Sequence, residues 1–112
     1  MEYTNKYEQQ GDVLFYPIGK MNPELMLKPM PDAIPTEAKV VENGVIVSGT
    51  NDHTVRGGAV YKQGDEMFVK AAAGTVVVHP EHKEIVLPEG DYVARIVMEY
   101  DHFAEEARQV RD

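Results

Sequence analysis

The sequence contains no cysteine. That excludes a disulfide framework, a thiolate metal site and a cysteine nucleophile, and it fits a reducing compartment. Long apolar runs are also missing: none approaches the roughly 18–20 residues that a membrane span needs. Residues Met1 to Gln10 are polar and carry no apolar signal core. A cytoplasmic protein with no membrane partner is expected. Basic residues are scarce, 11 against 19 acidic ones, for a net charge of −8. Such a chain repels phosphate at long range, which argues against general binding to duplex nucleic acid. A few local Lys or Arg groups can still hold one small anion. No serine sits in a Gly-x-Ser-x-Gly elbow, and the many carboxylates include no pair that stands out as a general acid and base. No catalytic residue is assigned, and the reading leans away from an enzyme.

What is present reads as one β-rich domain spanning 1–112. At 112 residues and 43% apolar composition, the chain is long enough to bury about two-thirds of its unfolded surface in one core. Residues 1–10 read as an N-terminal arm, followed by a strand at Val13–Ile18 that Pro17 ends or confines to an edge. The segment 19–37 holds Pro23, Pro29, Pro31 and Pro35, which rules out a helix longer than a turn or two. Its interleaved Leu25, Met26, Leu27, Met30 and Ile34 predict a loop lying against apolar surface. Ala38–Glu42 and Val45–Ser48 flank Asn43-Gly44 and predict a tight hairpin with a type I′ turn.

Further along, Gly57-Gly58 suggests a bulge, and Lys62–Glu66 a second hairpin turn returning through Met67–Lys70. Strands are expected at Thr75–Val78 and Lys83–Leu87. After the Pro88–Asp91 turn, Tyr92–Tyr100 should form the longest strand, and Asp101 should cap a short helix over 101–111. Closely spaced strands and turns predict a small antiparallel barrel or sandwich with a short C-terminal helix.

The most suggestive chemistry is His53, His79 and His82. Neutral imidazole is the commonest metal ligand, and a β fold can bring distant histidines together. The same residues also read simply as surface and turn histidines beside Pro80. Arg56, Lys62, Lys70, His82, Lys83 and Arg95 are the cationic groups of the strand region. If Arg56, Lys62, His82, Lys83 and Arg95 converge, they could bind a phosphorylated ligand through charge-assisted hydrogen bonds; scattered solubilising charges are the alternative.

The run His79-Pro80-Glu81-His82, then Leu87-Pro88-Glu89-Gly90-Asp91-Tyr92, then Glu99-Tyr100 resembles a family of uncharacterised small proteins in tailed phages and bacteria. Gln10-Gly11-Asp12-Val13-Leu14 resembles the opening of the same proteins. Relatives carry a Gly-His-x-His cluster that, with the later pair, looks like a cupin-style metal site. Here Thr50-Asn51-Asp52-His53-Thr54 keeps one of those histidines, and Pro80 replaces a glutamate.

The resemblance implies a compact β fold, a phage context and action in the host cytoplasm. By analogy with other small phage proteins, it implies a homo-oligomer that sequesters a nucleotide-derived ligand and counters host immune signalling. Two alternatives stand beside it. One is a cupin-like metal-binding protein or metalloenzyme using His53, His79 and His82, with no other cofactor. The other is a non-catalytic structural or interaction protein of the phage.

Overall fold

A computed structural model of the chain describes residues 4, 6–22, 29–48 and 51–96. Eight strands form one sheet: β1 (Glu8–Gln10), β2 (Val13–Pro17), β3 (Lys39–Val41), β4 (Val45–Ser48), β5 (Asn51–Gln63), β6 (Glu66–Val78), β7 (Ile85–Leu87) and β8 (Gly90–Ile96). Their order is β1-β2-β8-β6-β5-β3, with β4 also on β5 and β7 also on β6. Every pairing is antiparallel. Among the described residues no helix is long and apolar enough to cross a membrane.

The architecture follows from β5 and β6, which hold 13 residues each. Near their shared Gly64-Asp65 turn they pair with β3 and β8; at their far ends they pair with β4 and β7. Midway, the β5–β6 register shifts between Arg56 and Gly58; the irregularity falls where Gly57-Gly58 suggested one, but the extra residues are on β6, where 72–75 stand against Gly57 alone. Thr75 fixes it. Its buried hydroxyl donates to the Gly57 carbonyl at 2.8 Å and accepts from the Ala72 N–H at 2.9 Å. A bulge bends and twists a strand, so the two halves of the sheet turn toward each other. Val13, Phe15, Val60, Val69 and Tyr92 from one half and Ile46, Val55, Val77 and Leu87 from the other form one core cluster.

The reverse face carries a second apolar row. Tyr16, Val93, Phe68 and Tyr61 are register partners across β2, β8, β6 and β5. Phe68 and Val93 are fully buried yet lie outside the main core. Arg95, on the same side of β8 as Val93, donates to the Pro29 carbonyl at 2.9 Å. The Pro-rich segment therefore meets this face at Pro29.

Several sequence expectations need correction. The sheet is mainly antiparallel β but does not close into a barrel, because its path ends at β1 and β3 without joining them. Residues 8–10 of the expected arm form β1. Met67–Lys70 and Thr75–Val78 are parts of one kinked strand, not two. The helix expected over 101–111 and the strand end at 97–100 lie outside the described residues.

Asn43-Gly44 makes no hairpin, since β3 and β4 both pair with β5 and not with each other. Residues 39–48 run along one edge of β5, and they must break where β5 bends. Gly44 makes that break at φ 67°. Its carbonyl accepts from the Val55 N–H at 2.8 Å, and its N–H donates to Val41 at 3.0 Å. The turn chemistry is used for a kink instead of a reversal.

Candidate functional site

Two regions carry chemistry. The first is a junction where the β1–β2 turn, Gln10-Gly11-Asp12, meets the 79–84 loop and the start of β5. Buried Gln10 organises it. Its amide nitrogen donates to the carbonyls of Val77 and Lys83, both at 2.9 Å. That fixes the amide orientation, so the oxygen faces His53 Nδ1 at 2.8 Å. An amide oxygen only accepts, so Nδ1 of His53 carries the proton. On the other side of the ring, Nε2 lies 3.6 Å from Asp12 Oδ1.

His53 is completely buried. Burial and the neighbouring His79 push its pKa below 6.5, outweighing the pull of Asp12 in the other direction. The native state thus binds fewer protons than the unfolded chain just below that pH. His53 costs nothing above about pH 6.5 and destabilises increasingly as the pH falls below it, until the native ring protonates. Urea midpoints at pH 7.5 and 5.0 should therefore converge more in His53→Asn than in the wild type. Equal pH dependence in the two proteins would refute this assignment.

The three histidines do come together. Ring centroids are 4.5 Å apart for His53–His79, 4.4 Å for His79–His82 and 6.4 Å for His53–His82. Proximity does not make them a metal site, however. Nδ1 of His79 accepts from the N–H groups of Glu81 at 2.9 Å and His82 at 3.2 Å. Its lone pair is engaged there, and in the neutral ring the proton sits on Nε2. His79 acts as a cap on its own turn and offers no nitrogen to a cation. His82 packs over Gly11, where a Cβ would fall 2.6 Å from its Nε2. Among the described residues no three His, Asp or Glu side chains are placed to hold a metal ion. The arrangement does not fit the cupin-style set.

The second region is a half-open groove of about 380 Å³, lined by Val41, Asn43, Val45, Lys62, Asp65, Met67 and Ile96. Its volume falls at the lower end of the roughly 300–1,000 Å³ of small-molecule sites. Four apolar side chains make up most of the lining. Asn43 Oδ1 accepts from the Val45 N–H at 3.2 Å, which leaves the Asn43 amide N–H groups as donors.

The five cationic residues considered for a phosphorylated ligand stand in different places. Lys62 lines the groove. His82 and Lys83 belong to the junction, where the Lys83 carbonyl is taken by Gln10. Arg56 is exposed on the far half of β5. Arg95 lies on the reverse face, ion-paired with Glu66 at 3.4 Å. Lys62 is in register with Ala94 through Met67, so Arg95, the next residue along β8, faces the opposite side.

Sequence reasoning missed Gln10, Gly11 and Asp12 as partners of the histidines. The signal for them was the Gln10-Gly11-Asp12 opening, which was read for resemblance alone. No curated protein and no solved structure matches the chain. A family model does match, over residues 9–97, and this span takes in the junction, every groove residue and all eight strands except Glu8. The chain belongs to the family described as a domain of unknown function, DUF8820.

Proposed function

We propose that the protein is a non-enzymatic binding protein that holds a small nucleotide-derived ligand in the groove. The supporting observation is an apolar floor of Val41, Val45, Met67 and Ile96 beside the Lys62 ammonium and the Asn43 amide. A planar base suits the floor, and a phosphate suits Lys62 through a charge-assisted hydrogen bond. Resemblance to small phage proteins supplies the setting: a homo-oligomer in the host cytoplasm that sequesters an immune signal. Exposed Val40 on edge strand β3 is compatible with edge-to-edge assembly.

The test is thermal unfolding with cyclic mononucleotides, cyclic dinucleotides and ADP-ribose derivatives. A ligand present at 100 times its Kd stabilises by about 2.7 kcal/mol, which raises the midpoint by on the order of 10 °C in a domain of this size. Lys62→Ala should shrink that rise without lowering the unliganded midpoint. If none of these ligands moves the midpoint, the nucleotide reading fails.

A further inference from the structure

The sheet register places Lys39 of β3 directly opposite Lys62 of β5. Directly opposed side chains share one face of a sheet, with Cβ atoms roughly 4.5–5.5 Å apart, and like charges there repel. Two other cations of the sheet do have carboxylate partners: exposed Lys70 lies 3.8 Å from Asp91, and partly buried Arg95 lies 3.4 Å from Glu66. Among the described residues neither Lys39 nor Lys62 forms an ion pair. In a chain of net charge −8, two lysines set directly opposite each other concentrate positive charge at one point of the sheet. They stand at the groove, because Lys62 lines it and Val41, two residues from Lys39 on the same side of β3, lines it too.

We infer that Lys39 and Lys62 form a two-lysine clamp for one phosphate group of the ligand held in the groove. This rests on the nucleotide-binding reading and specifies how the anion is held. Two ammonium groups about one strand spacing apart can both donate to a single phosphate, and its charge removes their mutual repulsion. The same count limits the ligand. Asp65 is the other charged side chain of the lining, and the surrounding protein is acidic. A cyclic nucleotide with one phosphate is therefore favoured over a nucleoside triphosphate, whose additional charges find no further cation. The base lies on Val41, Val45, Met67 and Ile96, with its polar edge toward Asn43 and Asp65.

The experiment measures binding of cyclic GMP, cyclic AMP and GTP to the full chain by calorimetry, alongside the unliganded thermal midpoint. Lys39→Ala should leave the unliganded midpoint unchanged or slightly raised, since it relieves a like-charge contact. It should also weaken the cyclic nucleotides about tenfold. Lys39→Glu should weaken them further, and Lys70→Ala should leave them unchanged. Wild-type protein should bind at least one cyclic nucleotide about tenfold more tightly than GTP. Wild-type affinity retained in Lys39→Ala, or GTP binding more tightly than both cyclic nucleotides, overturns the clamp. Absence of binding by all three in wild-type protein, with no midpoint rise from cyclic dinucleotides or ADP-ribose derivatives, counts instead against the nucleotide reading beneath it.

Discussion

Replacing Gln10 by alanine should lower the thermal midpoint by more than 10 °C, an order-of-magnitude figure that follows from its hydrogen bonds. The side chain is buried and makes three of them: to Val77 O, to Lys83 O and from His53 Nδ1. Alanine leaves the buried His53 N–H without its acceptor and removes a bond from each of two carbonyls, the Val77 one buried and the Lys83 one part-buried. Each such group costs about 1–3 kcal/mol, and about 1 kcal/mol corresponds to roughly 4–8 °C in a domain of near 100 residues.

Gln10→Glu is the sharper comparison. It keeps the length and one acceptor but replaces both donors with oxygen facing two carbonyls, so its loss should be at least as large. Exposed Gln9, whose amide donates among the described residues only to the Gly11 carbonyl two positions on, should tolerate alanine within about 2 °C. Similar losses at positions 9 and 10 would show that the junction is not held by this amide. Adding Zn²⁺ to wild-type protein should leave the midpoint where it is, because the His79 lone pair is committed to backbone N–H groups. A rise of several degrees that disappears in His82→Ala would show that the histidines rearrange to ligate.

The second large effect is expected at Gly44, where alanine should cost about 2–4 kcal/mol in urea denaturation. Positive φ alone disfavours an L side chain by roughly 1–2 kcal/mol. At φ 67° an added Cβ would also fall 2.8 Å from the Val55 carbonyl oxygen. That atom is backbone in the middle of β5 and cannot swing away. Gly64 separates the two contributions, since it has φ 59° with nothing within 4 Å of a would-be Cβ. Gly64→Ala should show only the conformational part. Equal losses at 44 and 64 would mean that the close approach to Val55 carries no weight.

Much of the sheet was legible in the chain. Apolar, β-branched runs marked the strands, and Gly57-Gly58 marked where the β5–β6 register shifts, because these signals are local. The Asn43-Gly44 kink was misread for a physical reason. Asn-Gly announces that the backbone can reach positive φ, which serves a reversal and a kink equally well. The deciding factor is which strand lies alongside, and here it is β5, whose own bend forces the break. The histidines were legible as chemistry, but their tautomers were not. The proton on His53 is set by Gln10, 43 residues away, and the one on His79 by two N–H groups of a turn whose conformation no spacing rule supplies. Lys62 stood out as a cation near a turn. Lys39 gained meaning only from the register that sets it opposite.

The position of β8 has a consequence for how the molecule assembles. This strand sits between β2 and β6, pairing Val13 with Ile96 and Phe68 with Val93. The β5–β6 ribbon and the β1–β2 pair each close through a two-residue turn and can zip early, whereas the other edge of β2 has to wait for β8, some eighty positions downstream. Loop-closure entropy has to be overcome before such distant pairings repay it, and chains dominated by them fold in roughly milliseconds to seconds. On the ribosome, β2 therefore emerges long before β8. Until β8 is out, the edge of β2 that β8 will cover stays open to other chains.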